Sequence, residues 1–571
     1  MNDARDARAL SRTETSRTIA GLTCGAVALT WFCSWLMDTT VGVRLSSEWA
    51  AIPSFFFFSF DVMLAGLVVA RYVAGHRERD LSDPVSLSGV GHVPVLVPLL
   101  VRGEKDLDTV EDLLEACSVG RFGLQNEIWL AVDFADSDRR WSVGDERLLE
   151  ALARIVERWT TARWRHGASA VSILVRPRQW NLYEGHWMGR ERKRGKIEEI
   201  LRFAAGEPHP FRTIGPASPC SADFLFVMDG DSRIEAGDLA ALQTAFLSAR
   251  ETADATRMPA LMAPVVKKLS REREPFERWL VEPELFEHFF INSSPTLKQD
   301  GVGQDIYHGK AMLHVRDFLE NCTAFVPNTI LSHDHIESLY GFGQSTHRAK
   351  AYEPFPSSRS DWERRQHRWV RGDVQVLPYL LGFRRLGRNN MTLSQRVGAL
   401  QVVIGAEMPF FQFLFVAANF GVGLTSGALA FLILILIDQR GVLFGGIDVL
   451  RRNGEKEDHP GAARLMLHAL SNNILASVGL AMFLLRNFLI TVDATVVAVT
   501  RMLRGRVRLL EWYPANPKTV ITRLRLSEGG MMTLFVIMAG YGRSSVWLPV
   551  AGAFWISAPL LVASISKRRL R

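Results

Sequence analysis

Phe224-Leu225-Phe226-Val227-Met228-Asp229-Gly230-Asp231 is the stretch on which the reading of the fold turns. Its apolar run is short and unbroken, the pattern of a strand buried on both faces. It ends in two carboxylates one residue apart, with a glycine between them for a turn. In open α/β sheets ligands bind beyond the carboxyl ends of the strands, so acids delivered there mark a site. Hard oxygen ligands of this kind suit Mg2+ or Mn2+ shared with a diphosphate. The plain alternative is an Asp-Gly turn after a strand, and D-x-D alone is too short to choose.

The surrounding chain repeats the pattern. Upstream, Val93 to Val101 reads VPVLVPLLV and precedes a helical pattern from Leu107 to Cys117. Ile128 to Val132 is a second apolar run and meets Asp133; Ser172 to Val175 is a third. Apolar strands alternating with helices predict a mostly parallel α/β sheet, with Asp133 and Asp229 both at its carboxyl edge.

Composition sets outer limits. The 571 residues are 48% hydrophobic and 22% charged, which excludes wholesale disorder. A net charge of +7 is modest for this length and gives no sign of a nucleic-acid partner. Cys24, Cys33, Cys117, Cys220 and Cys322 are scattered, without zinc or redox spacing, and read as free thiols.

Hydrophobicity is strongly segregated. Thr18 to Met37 and Ile52 to Ala70 are each long enough to cross a hydrocarbon core of about 30 Å. Arg5, Arg8, Arg12 and Arg17 precede this pair and Arg71, Arg77 and Arg79 follow it, which puts both ends on the cytoplasmic side. Apolar character returns over Val397 to Ile437, as two short passes meeting near Gly421 and Gly423 or as one interfacial helix and one pass. Leu465 to Met502 reads as a helix along the cytosolic face or a hairpin, and Gly529 to Ile565 as a last hairpin. The expected organisation is a basic cytosolic N-terminus (1–17), a transmembrane hairpin (18–74), a cytosolic catalytic domain (75–390) and C-terminal transmembrane and interfacial helices (391–571).

Three further constellations lie inside the cytosolic part. Arg364-Arg365-Gln366-His367-Arg368-Trp369-Val370-Arg371-Gly372-Asp373 offers cations for phosphate and an indole as a floor for a sugar ring, or a basic face for an anionic membrane. Ser332-His333-Asp334-His335 offers one carboxylate at a loop-to-helix junction, suited to a general base, a helix cap or a weak zinc site. Arg190-Glu191-Arg192-Lys193-Arg194-Gly195-Lys196 is a diphosphate clamp or a solvated basic face. Their order between two apolar hairpins raises all of them above chance.

With these strings in hand, the sequence resembles the membrane-bound family-2 glycosyltransferases of GT-A fold, the group of cellulose, chitin and hyaluronan synthases. Within it the chain looks most like the glucosyltransferase domain of bacterial cyclic β-1,2-glucan synthases. The resemblance rests on Trp187 to Lys196 (WMGRERKRGK), Leu331 to Asp334 (LSHD), Arg365 to Asp373 (RQHRWVRGD), Leu509 to Trp512 (LLEW) and Val546 to Val550 (VWLPV). It implies a GT-A-like nucleotide-sugar-binding domain between transmembrane hairpins in a bacterial inner membrane. The implied activity is inverting transfer from UDP-glucose to a growing β-glucan, with Mg2+ or Mn2+. A chitin-like or mixed-linkage product and an inactive membrane scaffold are the alternatives. Carried over by position, Asp133 contacts the uridine, Lys196 the diphosphate, and Asp229 and Asp231 the UDP and metal. Asp334 takes the place of the base; Gln366, Arg368 and Trp369 fall in the Q-x-x-R-W region near diphosphate and acceptor. Arg365 stands at the first position of that motif, and Gly301 to Asp305 departs from the family pattern. The 571 residues hold no counterpart of the family's carbohydrate-processing domains, so the chain is not expected to cyclise its own product, and separate glucan-processing enzymes stay open as partners.

Overall fold

The computed structural model describes residues 93–118, 120–218, 222–253, 257–269, 309–323, 330–331, 333–354, 359–383, 393–422, 424–438, 467, 474, 477–478, 481–505, 508–511, 549–553 and 555–557. The hairpin at 18–74, most of the one at 529–565, the 301–305 segment, Ser332, Trp512 and Cys24, Cys33 and Cys220 lie outside them.

Three strands form the buried centre: β1 (Val95–Val101), β2 (Ile128–Phe134) and β3 (Val171–Val175). They pair in parallel, with Val95 beside Ile128 and Ile128 beside Val171. Successive side chains of a strand point to opposite faces. Val95, Val97, Leu99 and Val101 therefore share one face with Leu113 of α1 (Glu104–Ser118), Leu149 of α2 (Val143–Arg165) and Leu242 of α4 (Ala236–Thr252). Leu96 turns the other way, with Trp129, towards Ile200 and Phe203 of α3 (Arg192–Ala204) and Phe318 of α5 (Val315–Asn321). Burial on both faces explains why the strand sequences are unbroken apolar runs. The start of α2 is fixed by a reciprocal cap between Ser142 and Asp145.

The expected parallel sheet is present in its centre, and antiparallel strands at one edge and after Asp229 make the whole sheet mixed. A short antiparallel hairpin, β4 (Gln179–Asn181) with β5 (His186–Met188), leads into α3. β6 (Arg212–Ile214) closes one edge antiparallel to β3, and β7 (Phe224–Val227) pairs parallel to β1. β10 (Ala311–His314) then runs antiparallel to both β7 and β9 (Leu261–Lys268). β11 (Gln344–Glu353) is parallel to β9 and antiparallel to β8 (Arg233–Ile234). Among the described residues the nine-stranded order is β6-β3-β2-β1-β7-β10-β9-β11-β8, a mixed sheet. Strand-helix alternation is plain in the sequence only as far as β7, and there the pairing is parallel apart from the β6 edge.

Beyond the sheet stand α6 (His333–Tyr340), α7 (Arg359–Leu380), α8 (Leu393–Val422), α9 (Leu424–Asp438) and α10 (Leu484–Leu503). The 397–437 stretch forms two helices, α8 running through Pro409. Among the described residues no helix is long and apolar enough to cross a membrane. The helix read in 465–502 is α10, and it packs on α7 through Val370, Val374, Ala494 and Ala498. Cys117 and Cys322 are buried free thiols.

One buried cation braces the parallel half. Arg163, fully buried at the end of α2, donates to the carbonyls of Cys117, Leu124, Asn126 and Ser169. Its replacement leaves those carbonyls short of a donor. Arg163→Met is expected to lower the unfolding free energy by about 3 kcal/mol or more, read from denaturant titration of the full chain.

Candidate active site

The two strand-end acids have different surroundings. Asp133, near the end of β2, is buried and takes Arg176 on both oxygens, at 2.5 and 2.9 Å. Lys196 Nζ stands 3.2 Å from the same carboxylate and also donates to the Leu99 carbonyl. Burial pushes the Asp133 carboxyl up, but Arg176 and Lys196 outweigh it and hold the group below its ordinary value. Burial brings Lys196 down to about 8, against the pull of Asp133. A Cβ on Gly189 would lie 2.5 Å from Asp133 Oδ2 and 2.9 Å from Arg176 Nη2, so the backbone approaches there as only glycine allows.

Asp229 lies just past β7, half-buried, and is held by two ammonium groups. Lys193 Nζ reaches Oδ1 at 2.6 Å and Lys310 Nζ reaches Oδ2 at 3.1 Å. Burial opposes ionisation, yet these two lysines hold the carboxyl well below the usual range. Asp231 shifts the other way: partial withdrawal from water, then the charges of Asp229 and Glu353, raise it. An alanine at Gly230 would place its Cβ 2.8 Å from Leu99 Cδ2 and require that side chain to move.

Asp334 stands in the first turn of α6. The point where a Cβ on Gly309 would sit is 2.6 Å from Lys193 Nζ and 3.9 Å from Asp334 Oδ2. Gly309 has φ +73° and its carbonyl accepts from Lys193 at 3.1 Å. Lys193 and Asp334 thus flank one glycine, and Lys193 binds Asp229. From the neighbouring position on α3, Arg194 pairs with Glu191, donates to the Thr323 carbonyl at 3.0 Å and lies 3.5 Å from Glu337 of α6. That fixes α6 against α3.

The arginine-tryptophan helix is α7. Arg365 Nη2 binds Glu353 Oε1 at 3.0 Å, and its Cζ lies 4.5 Å from the ring centroid of Trp369. Trp369 is 40% exposed, enough to offer a stacking surface. Gln366 and Arg368 are half-buried on the same helix. Arg371 is buried and brought down to about 10, by desolvation first and then by Arg501 and Arg368 among its neighbours.

For a divalent cation the donor set is sparse. Among the described residues no group of three or more His, Cys, Asp or Glu is arranged to hold a metal ion by itself. Mg2+ is commonly bound through one or two carboxylates together with substrate phosphates. Asp231, crowded by Asp229 and Glu353, fits that use because a cation relieves the like-charge repulsion. The residues therefore fit a cation shared with a diphosphate.

The structure brings Asp229, Asp334 and Lys193 together and groups Lys196 with Asp133. Lys193 lies in the same basic Arg190–Lys196 segment as Lys196. Both stand on one side of a helix, but Lys193 is a turn nearer its start and nearer the strand ends. Lys310, Glu353 and Arg365 carried no motif signal beyond a Gly-Lys pair before an apolar run and a misplaced arginine.

No protein-family model matches the chain. The chain is related to a bacterial polysaccharide synthase. That relative is the cyclic beta-(1,2)-glucan synthase NdvB of Rhizobium meliloti (strain 1021), 27% identical over 315 residues, which are 52% of this chain and 11% of that one. The chain thus spans only 11% of the relative's length. That similarity agrees with the likeness to cyclic β-1,2-glucan synthases read from the motifs. Among solved structures, the mannosyltransferase PcManGT from Pyrobaculum calidifontis, in complex with GDP-Man and Mn2+, is similar at 13% identity and a TM-score of 0.36, covering 75% of this chain and 97% of that one.

Lys193 and Lys196 separate experimentally. Lys193→Met is expected to weaken nucleotide-diphosphate binding about ten-fold or more, beyond the loss of stability that comes from leaving Asp229 with Lys310 alone. Lys196→Met acts on stability. The wild-type lysine has a folded pKa below its unfolded one, so the cost of its buried charge is relieved as pH rises from about 8 to the ordinary lysine range. The variant is expected to lack that gain in denaturation curves between those pH values.

Proposed function

We propose that the chain is an inverting glucosyltransferase that extends a β-glucan, most simply β-1,2-linked, from UDP-glucose at the cytosolic face of a bacterial inner membrane. The observation that carries this reading is the convergence of Asp229, Lys193 and Asp334 around Gly309. An acid pair for the donor diphosphate and a separate carboxylate for the acceptor are the minimum set for direct displacement at an anomeric carbon.

In this reading Asp133 accepts from the uracil ring with the lone pairs that Arg176 and Lys196 leave. Lys193, rather than Lys196, meets the diphosphate, with Arg368 approaching from α7. A divalent cation held by Asp229 and Asp231 would neutralise charge building on the departing diphosphate. Asp334 takes the proton of the acceptor hydroxyl as that oxygen attacks the sugar from the face opposite the nucleotide. Trp369 supplies the surface on which the acceptor ring lies. Fixed cations aimed at the leaving group contribute more than proton transfer alone. Membrane lipid is the remaining partner. The membrane reading is supported by the apolar stretches at 18–37 and 52–70 and by the arginines flanking them.

Membranes containing the full chain, supplied with labelled UDP-glucose, Mg2+ and a β-glucan oligosaccharide, test the reading. The expected product is polymer with one β-linkage on linkage determination. Asp334→Asn is expected to bind UDP with unchanged affinity and to lose about a hundred-fold or more in turnover. Retained turnover removes the base assignment; a different linkage or sugar redirects the substrate assignment.

A further inference from the structure

We propose that Lys310, Glu353 and Arg365 form a positioning relay that ties Asp229 to the indole of Trp369, so that filling the donor site orders the platform for the acceptor. The inference rests on the glucosyltransferase reading and adds to it a coupling between its two substrates.

The chain of contacts is continuous. Lys310, 4% exposed at the entry to β10, touches Asp229 Oδ2 at 3.1 Å and Glu353 Oε2 at 2.5 Å. Glu353, the last residue of β11, passes its other oxygen to Arg365 at 3.0 Å. Arg365 lies over Trp369, and Trp362 meets the same indole edge-on at 6.2 Å. Charges alternate along this line from strand end to indole. In a partly desolvated site such a chain is polarised as a unit, so a ligand that engages Asp229 or Lys310 changes the hold of Glu353 on Arg365.

Arg365 and Trp369 stand one turn apart on α7, so the helix itself brings the guanidinium to the ring, and Glu353 of β11 fixes how that guanidinium lies. α7 is fastened to α10 elsewhere, by Glu363 with Arg486 at 3.0 Å and by His367 with Asp493 at 3.0 Å. It is also fastened to residues 508–511 through Arg371 and Gln375. The Glu353 contact thus adds an orientation of the Arg365 guanidinium to a helix already held in place. That planar guanidinium covers one side of the indole and leaves the exposed remainder for a sugar. None of the three residues is required to touch the reacting atoms.

The test is the effect of UDP on oligosaccharide binding, measured on the full chain in lipid nanodiscs with Mg2+. In the wild type UDP is expected to tighten binding of a β-glucan oligosaccharide about ten-fold. In Glu353→Gln that effect is expected to fall to about two-fold or less, with UDP affinity itself nearly unchanged and the acceptor KM raised. Glu353→Asp is expected to restore part of it. Arg365→Lys, which keeps the charge and loses the flat contact, serves as the second variant and is expected to lose the coupling as well. Full coupling in folded Glu353→Gln or Arg365→Lys overturns the relay while leaving the transferase reading intact. Absence of UDP binding in the wild type overturns both.

Discussion

Charge compensation of carboxylates drawn out of water at the strand ends is the constraint on which the rest of the structure depends. Each such ion costs several kcal/mol unless it is paired and hydrogen-bonded. One helix supplies a cation to each of these acids. Lys193, Arg194 and Lys196 of α3 answer, in turn, Asp229, the Glu191–Glu337 pair and Asp133. The helix is entered through a strained turn, with Glu191 at φ 51° and Arg192 at φ 57°. Left-handed conformations in such residues cost on the order of 1–3 kcal/mol each. The turn is over-determined by its neighbours: Arg190 binds Glu191, Glu198 and Glu199, Arg176 donates to the Arg192 carbonyl at 2.6 Å, and Arg192 pairs with Asp136. A Cβ on Gly195 would collide with the Arg190 carbonyl, so the same turn requires glycine one helical step in.

The second structural dependence runs between distant parts of the chain. Residues 508–511 lie between the β4–β5 hairpin and α7. Leu510 donates its backbone N–H to Glu184 at 2.9 Å and Arg508 to the Tyr183 carbonyl at 3.3 Å. On the other side Arg371 and Gln375 donate to the Glu511 and Leu509 carbonyls. Gln375 also accepts from the Leu331 backbone N–H at 2.9 Å, just before α6. The helix with Trp369 and the β4–β5 hairpin are thereby held to one short segment, and Gln375 carries the link on to the start of the helix with Asp334.

Much of the framework was legible before any coordinates. Strands β1, β2, β3 and β7 declare themselves because burial on two faces leaves no polar alternation. Asp133 and Asp229 stand out because an acid at the end of such a run has nowhere to go but the sheet edge. The LSHD and RQHRWVRGD strings placed Asp334 and Trp369 on helices that the structure contains. The sheet's antiparallel half was not legible, since β8 is two residues long and β10 is a short apolar run without a preceding crossover signal. Within Arg190–Lys196, composition made Lys193 and Lys196 equivalent; only the direction of α3 against β1 and β7 distinguishes them.

The sequence by itself determined the hydrophobic runs, the order of the acidic and basic motifs and the glycines that allow close approach, because each depends on neighbours along the chain. Tertiary structure alone decided which cation meets which acid. Lys310 and Asp229, Glu353 and Arg365, and His367 and Asp493 come from different elements. A pairing of that kind is set by strand order, helix direction and crossing position, none of which is encoded by a residue's local surroundings.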